Sequence, residues 1–513
     1  MAKIPPITVR TKFAFGVGQV AEGVKNTAFS TFVLLYYNQV LGLSGSLAGL
    51  AIMVALIFDA VTDPLTGSIS DNWRSRWGRR HPFMYASAIP LAITFYLLFS
   101  PPEGLGETGL FLWLTALAIL TRGAMTLYHV PHLALGAELS DDYEERTSIV
   151  SYRTIFGVLG NAAVILLGFS LFFVDQDGVA GTLRSEAYPP FALTFGALMC
   201  VTIWLSAAGT HDRIPYLPQP RGKAERISVG AMLLRVFTDV AAAVRNRSFR
   251  WLFAGVIIVF VMVGVQAALG LYMGIYFWEL TSDELKWVAL APPVGLIVGA
   301  PFTRLLNRRF DKKPSLVFGT AWYAVFQLSP PIFRLIGWFP DNGDPLVVPI
   351  LVTASIIGGI GVVQALVSSG SMMADIADEH ELESGRRQEG IFFGALSFSG
   401  KAASGFGNLL GGIGLDLIAF PRGAVPGSVE MDVLTRLGLL YGPVVMGFAV
   451  IAVWCYNHYD LTRARHGEVL AALAEREAAG IDPDTDGAVR AGDTSSAEDP
   501  LINASPMPPG ATL

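Results

Sequence analysis

Residues 137–144 read AELSDDYE and residues 374–381 read ADIADEHE, so one motif occurs twice in the chain, at an offset of 237 residues. The two copies are identical or chemically close at every position but one. A basic cluster precedes each copy, strongly at 74–80 and more weakly at 304–313. This repetition indicates that the chain is built from two structurally related halves.

Long apolar segments surround both copies of the motif. Hydrophobic residues make up 52% of the 513 residues and charged residues only 15%, against about 25% in soluble domains. Twelve apolar segments can be distinguished, at 13–38, 45–69, 82–100, 110–136, 149–174, 190–208, 251–278, 287–306, 315–338, 346–372, 390–418 and 437–457. Each is about as long as a membrane-spanning helix, and none alternates like a membrane strand. We therefore predict an all-α membrane protein with twelve transmembrane helices in two six-helix pseudo-repeats.

The same composition excludes several classes of protein. It is too apolar for an ordinary soluble enzyme, a disordered protein or a coiled coil. A net charge of −6 without a long basic stripe argues against a nucleic-acid partner. The sequence has no phosphate-binding loop and no familiar nucleophile motif, and Cys200 and Cys455 lack zinc-ligand spacing. We expect neither an enzyme nor a cofactor.

Composition divides the chain into four parts. We predict an N-terminal six-helix half at 1–208, a cytoplasmic central loop at 209–250, a C-terminal six-helix half at 251–465 and a cytoplasmic tail at 466–513. The central loop contains a possible surface helix at 231–246. The tail begins with EVLAALAEREAAG at 468–480, which could continue a helix briefly. The remainder is polar and rich in Pro and Gly, which predicts disorder.

Positive charge is unevenly distributed between the two sides of the predicted bundle. Most of the 36 Lys and Arg residues fall in segments on the same side as the N-terminus. The opposite loops contain Arg184, Lys286, Arg334, Arg422 and Arg436. The positive-inside rule then places both termini in the cytoplasm of a multi-pass protein of the cytoplasmic (inner) membrane. No removable signal peptide is evident, and we expect a monomer in the lipid bilayer.

The second apolar segment, ALIFDAVTDPLTG, contains two acidic residues, Asp59 and Asp63. Their spacing of four places both on one helix face, with Thr62 near that face. Two carboxylates this close cannot both stay ionised in a low-dielectric site, so one holds a proton or a cation lies between them. Either arrangement would couple the protein to Na⁺ or H⁺, and we expect no other metal. Alternatively, the acids only pair with a basic residue or cap a helix broken near Pro64.

Lys401, in the eleventh apolar segment, is the natural basic partner of this acid pair. Against two carboxylates it could keep its charge and respond to a bound cation. Alternatively, its long side chain snorkels to the membrane interface.

The loop after the second segment contains the charged residues Asp71, Arg76, Arg79 and Arg80. The arginines can reach carbonyl groups or acids of neighbouring helices, and Asp71 can pair with one of them. We predict a latch that holds one conformation at the cytoplasmic side. A plain positive-inside anchor is the alternative.

Four further polar residues in apolar segments are candidates for solute binding: Glu22, Arg122, His129 and Arg153. Arg122 and His129 are seven residues apart and so face the same way on a helix. Hydrogen bonding to a polar solute suits this face better than zinc, because no third ligand is obvious. Glu22 could equally pair with Lys25, three residues away.

Three stretches of this sequence resemble a known family of transporters. These are FDAVTDPLTGSISDNWRSRWGRRHPF at 58–83, VPHLALGAELSDDYEERT at 130–147 and MMADIADEHELESGRRQEG at 372–390. Together they resemble the glycoside–pentoside–hexuronide:cation symporters, the melibiose permease-like branch of the major facilitator superfamily. The resemblance covers residues 10–460 and implies the major facilitator fold.

The resemblance implies a cation site at Asp59 and Asp63, joined by Thr126 and by Lys401 in a coupling network. Family proteins often have an asparagine where this chain has Thr62. The family's sugar-binding positions differ more, because His129 stands where an acid is expected. The resemblance therefore implies the family's fold and its coupling to a cation, but it does not imply a galactoside substrate.

We thus expect a secondary active transporter that couples a small polar solute to Na⁺ or H⁺ by alternating access. The solute would be a glycoside, a sugar or a sugar acid. Na⁺ is narrowly favoured, because two threonine hydroxyls could add neutral oxygens to the carboxylates. Two alternatives stay open: a cation-coupled transporter of lysolipids or other amphiphiles, and a membrane sensor that does not transport.

Overall fold

The computed structural model describes residues 6–217, 243–385 and 389–478, together with five single positions between 230 and 241. Within this part of the chain, every regular element is a helix. The predicted all-α fold is therefore confirmed.

The first half of the chain forms helices α1 to α6. They are α1 (Val9–Val17 and Gln19–Ala28, continued by π-helical turns at Phe29–Val33 and Tyr36–Val40), α2 (Gly45–Asn72), α3 (His81–Leu98), α4 (Glu107–Glu138), α5 (Tyr143–Leu167, extended by Gly168–Phe172) and α6 (Tyr188–Gly209). Side chains fix several of the helix starts. The Ser44 hydroxyl accepts from the amide of Leu47, and the Asp142 carboxylate accepts from that of Glu145, so both act as N-caps.

The second half repeats this arrangement with helices α7 to α12. They are α7 (Arg247–Tyr272, extended by Met273–Phe277), α8 (Ser282–Arg309), α9 (Lys312–Leu335), α10 (Val347–Ser384), α11 (Glu389–Leu417) and α12 (Met431–Leu439, Leu440–Val444 and Val445–Asn457). Thr281 and Glu284 form a reciprocal capping box at the start of α8.

Ten of these helices are long and apolar enough to cross a membrane, as a multi-pass membrane protein requires. The two others among the twelve are α1 and α11. Gly18 divides α1 into shorter pieces, while Lys401 and Asn408 add polar groups to α11.

The start of the predicted tail is helical. Residues 466–478 belong to a helix, α13 (Arg463–Ala478), which packs against α10. The reason is a set of contacts that composition does not show: Arg465 pairs with Glu379 at 2.8 Å. The rest of the predicted tail, 479–513, and half of the surface helix predicted at 231–246 lie outside the described residues.

The two halves meet most closely where α2 packs along α11. The backbones approach through glycines, because a Cβ on Gly45 would lie 2.5 Å from the carbonyl oxygen of Gly412. A Cβ on Gly49 would lie 2.8 Å from the carbonyl oxygen of Asn408. Small residues allow this close helix packing in membranes. The contact places the acidic residues of α2 against the lysine of α11.

Candidate functional site

Two acidic side chains of α2 form the centre of a buried ionic cluster. Asp59 is only 5% exposed, and Asp63 lies one turn further along the same helix. The Oγ1 atom of Thr126, on α4, lies 2.8 Å from Oδ1 of Asp59 and 3.1 Å from Oδ1 of Asp63. The hydroxyl of Thr62 instead donates to the main-chain oxygen of Asp59 at 3.3 Å. Thr126 therefore faces both carboxylates, and Thr62 does not.

Lys401 bridges the same two acids from the other half of the chain. Its Nζ lies 3.0 Å from Oδ2 of Asp59 and forms an ion pair with Oδ2 of Asp63. On the other side of the pair, the single hydroxyl hydrogen of Thr126 can be donated to only one of the two carboxylates. A proton or a cation would be needed to join the hydroxyl oxygen to the second carboxylate.

Arg122 contacts the acid pair from α4. Its Nη1 lies 3.3 Å from Oδ2 of Asp59, and its guanidinium group lies 5.0 Å from the centre of the Phe29 ring. Asp59 is thus paired with two cations, Arg122 and Lys401. The structure places Arg122 in the ionic cluster rather than on the wall of a solute cavity.

The cluster continues to α1 through a second set of charges. Lys25, which is 3% exposed, lies 3.3 Å from Oε1 of Glu22, and Asn26 donates to the same oxygen at 2.8 Å. Nδ1 of His129 lies 3.9 Å from the other oxygen of Glu22. Besides His129, the cluster contains three carboxylates, of Glu22, Asp59 and Asp63, and three basic side chains, Lys25, Arg122 and Lys401. The acidic and basic groups are therefore equal in number.

Arg153 is the predicted solute-binding residue that the structure does not bring to this cluster. It lies half-buried on α5, and within the described part of the chain it forms no ion pair. The neighbouring turns of α5 reach a cavity described below, at Val158 and Asn161.

The predicted latch residues lie at the end of the bundle where α1 begins. Arg80 is buried, contacts Asp71, and lies 2.8 Å from Glu138, the last residue of α4. Arg79 lies 2.7 Å from the same carboxylate. Arg76 differs, because its guanidinium group is exposed and only covers the ring of Trp77 at 5.7 Å.

Glu138 is a partner that the sequence analysis did not single out, although the repeated motif contains it. The corresponding position in the second copy is Asp375. Asp375 also binds a basic residue at the start of a helix, because Lys312 Nζ lies 2.7 Å from both of its carboxylate oxygens. The repeat in the sequence therefore corresponds to the same acid–base contact in each half.

A cavity of about 410 Å³ lies between the two halves. Its polar lining includes Thr27 and Asn161 from the first half and Gln266, Gln327 and Tyr441 from the second. Among the described residues that line it, none is charged, and Glu22, Arg122, His129 and Arg153 are not among them. Uncharged amides within apolar segments gave no sequence signal, because their orientation depends on helix packing.

The helical bundle is similar to known transporters of the same architecture. The crystal structure of a D-xylose–proton symporter superposes with a TM-score of 0.59, at 14% identity, over 87% of this chain and 96% of that chain. This similarity shows that the two helical bundles share a fold. The chain belongs to the family described as MFS/sugar transport protein, whose model matches residues 14–463. It is therefore a member of a transporter family and not an enzyme.

Several curated relatives cover nearly the whole chain. The putative glycoside/cation symporter YagG of Escherichia coli is 25% identical over 92% of this chain and 96% of its own length. The isoprimeverose transporter of Lactiplantibacillus pentosus is 23% identical over 87% and 88%. The sodium-dependent lysophosphatidylcholine symporter 1 of Gallus gallus is 23% identical over 91% and 90%.

Proposed function

We propose that this protein is a monomeric secondary active transporter that moves a glycoside or other sugar across the cytoplasmic membrane together with Na⁺ or H⁺. The observation that carries the proposal is the contact of Lys401, on the second half, with Asp59 and Asp63, on the first. A cation bound to the acids would change the charge at the contact between the halves. The names of the glycoside/cation symporter and of the isoprimeverose transporter support the solute class.

Coupling would arise from competition between Lys401 and the transported cation. Lys401 and Arg122 already neutralise the two carboxylates. An incoming cation therefore repels the Lys401 ammonium group, which weakens its contact with α2. Because that contact joins the halves, occupancy of the site changes the relative free energies of the transporter's conformations. The halves at 1–208 and 251–465 would rock as units joined by the central loop at 209–250.

The identity of the ion depends on how many oxygens surround it. A hard cation such as Na⁺ is bound best by several oxygen ligands, including neutral ones. Thr126 presents a hydroxyl to both carboxylates, whereas the Thr62 hydroxyl is bonded to the main chain. The sequence favoured Na⁺ narrowly because the hydroxyls of two threonines could join the carboxylates. Since only Thr126 does so, Na⁺ and H⁺ are equal candidates for the coupling ion.

The charge distribution supports an orientation with both termini in the cytoplasm. The end of the bundle where α1 begins carries the basic residues Arg79, Arg80 and Lys312. Tagging the chain after Ala478 and probing the tag in intact and permeabilised cells tests this orientation. Protection in intact cells is expected, and labelling of intact cells would contradict it.

A sodium-dependent carrier of lysolipids is the second candidate function. It is favoured by the similarity to the lysophosphatidylcholine symporter and by apolar residues such as Leu271 and Phe326 in the cavity wall. Lysophosphatidylcholine therefore belongs in the panel of solutes that is screened.

The coupling proposal can be tested in proteoliposomes. The solutes are radiolabelled xylose, isoprimeverose, glucuronate and lysophosphatidylcholine, each under a Na⁺ gradient and then under a pH gradient. The wild type should concentrate a sugar with one of the ions. Asp63→Asn and Asp59→Asn should lower the accumulation ratio to about 1 while sparing exchange, because the cation no longer changes the contact between the halves.

Asp432→Asn is the matched control, because Asp432 is an exposed acid at the start of α12 whose ion pair among the described residues is with Arg436. It should accumulate solute like the wild type. Uphill accumulation by Asp63→Asn under either gradient would place the coupling site elsewhere.

A further inference from the structure

The cavity between the halves contains a buried hydrogen-bond donor that has no partner among the described residues. Gln266, on α7, is 7% exposed and lines the cavity. Its Oε1 accepts a hydrogen bond from the hydroxyl of Tyr323, on α9. This bond fixes the carboxamide so that Nε2 is its free end, and Nε2 has no hydrogen-bond partner in the described part of the chain.

A buried N–H group without an acceptor is unfavourable, and such groups in native proteins commonly meet a ligand or water. Gln266 is thus held in one orientation with a donor that an incoming oxygen atom would satisfy. Tyr323 acts here as a positioning residue, because it orients the carboxamide.

The surroundings of Gln266 define the chemistry of that incoming group. On the opposite wall, the hydroxyl of Thr27 donates to Oδ1 of Asn161 at 3.0 Å. The remaining wall is apolar and aromatic, with Trp278 and Phe326. Uncharged donors and acceptors beside aromatic rings suit the hydroxyls and the C–H face of a sugar ring. An anionic group here would be desolvated without a cation to pair with it.

We propose that Gln266 is a solute-binding residue in a subsite of the second half, and that this subsite selects an uncharged glycoside over a sugar acid. The inference rests on the proposed function and narrows its solute class. It assigns solute binding to this uncharged wall and ion coupling to the charged residues of the first half and Lys401.

The test uses two probes that differ in one group, methyl glucoside and methyl glucuronide. Binding to the purified full-length protein is followed by thermal shift and by tryptophan fluorescence. The glucoside should bind the wild type, and the glucuronide should bind at least about tenfold more weakly. Gln266→Leu should weaken glucoside binding about tenfold, because the donor is lost.

A steric variant gives an independent measurement if Gln266→Leu folds poorly. A Cβ on Gly270, which lines the cavity, would meet open space, so Gly270→Leu fills the cavity without a clash at the Cβ. Gly447→Leu is the matched control, because Gly447 also has open space at its Cβ but does not line the cavity. Gly270→Leu should abolish glucoside binding, and Gly447→Leu should retain it.

Several outcomes would overturn the subsite. These are equal or tighter binding of the glucuronide, wild-type affinity in Gln266→Leu or Gly270→Leu, or binding of neither glycoside to the folded wild type. Failure of the coupling proposal gives a different result. The glucoside then binds as expected, while the Asp63→Asn variant still accumulates solute against its gradient.

Discussion

The two ends of the helical bundle are held together in different ways. At the end where α1 begins and α12 finishes, here called the terminal end, the polar contacts between pairs of described residues join helices within the same half. At the opposite end, polar contacts join the first half to the second.

Contacts at the opposite end come from side chains at the helix ends. Tyr272 donates to Asn38 at 2.7 Å, and Tyr276 donates to Gln39 at 3.1 Å. Asp416, at the end of α11, accepts hydrogen bonds from the first two amides of α2, at 3.0 and 2.8 Å. A carboxylate at a helix N-terminus is favourable because free amides and the helix dipole meet it.

The terminal end also has ion pairs, and those between described residues stay inside one half. Arg79 and Arg80 bind Glu138 within the first half, and Lys312 binds Asp375 within the second. Between described residues, polar contacts therefore join the two halves at the opposite end, whereas those at the terminal end stay within one half. Alternating access would then require the Asp416 and tyrosine contacts to break.

The largest effect is expected from Arg80→Ala, which removes ion pairs at the terminal end, within the first half. Glu138 would keep only Arg79, and Asp71 would lose its partner. We expect a loss of about 2 kcal/mol of stability, with slower transport and retained solute binding. Thermal unfolding in detergent and uptake rates measure the two effects.

Arg76→Ala is the matched control for this change, because Arg76 is exposed and forms no ion pair among the described residues. It should change stability by less than about 0.5 kcal/mol. If the two variants have the same stability and the same uptake rate, the arginines act only as a positive-inside anchor and not as a latch.

A smaller effect is expected from Asp416→Ala, which removes a contact between the two halves at the opposite end. Loss of a helix-capping carboxylate costs about 1 kcal/mol, which corresponds to about a fivefold shift between conformations. Spin labels at Glu103→Cys and Ser428→Cys, with Cys200 and Cys455 replaced, report the separation of the halves by pulsed electron resonance. The population with a longer distance should rise.

Asp432→Ala serves as the control for this measurement, since its partner Arg436 lies on the same helix. An unchanged distance distribution in Asp416→Ala would mean that this contact does not hold the opposite end closed.

The smallest effect is expected from truncation after residue 480. This cut leaves α13 in place, with its contacts to α10 from Arg465 and His466. The removed segment is polar and without apolar periodicity, so transport should stay at the wild-type rate. Loss of uptake in a normally inserted truncation would contradict this, and a cut after residue 462 shows the separate contribution of α13.

The sequence by itself determined the helices and the positions of the charges. In lipid, apolar runs of about 20 residues can satisfy their backbone hydrogen bonds only as helices or closed barrels. Local composition was therefore sufficient to predict the helices. The spacing of Asp59 and Asp63 placed them on one face, because helical periodicity relates residues four apart. The repeated motif related Glu138 to Asp375 before any contact was visible.

Only the tertiary structure decided which of these groups meet. Arg122 binds Asp59 from a different helix, and Asp416 binds the start of α2 from a position about 370 residues away. Such contacts depend on the rotation and pairing of whole helices, which local periodicity does not encode. The orientation of Gln266 also depends on tertiary structure. Its Nε2 group is left without a partner among the described residues because Tyr323, on a neighbouring helix, binds its Oε1 atom.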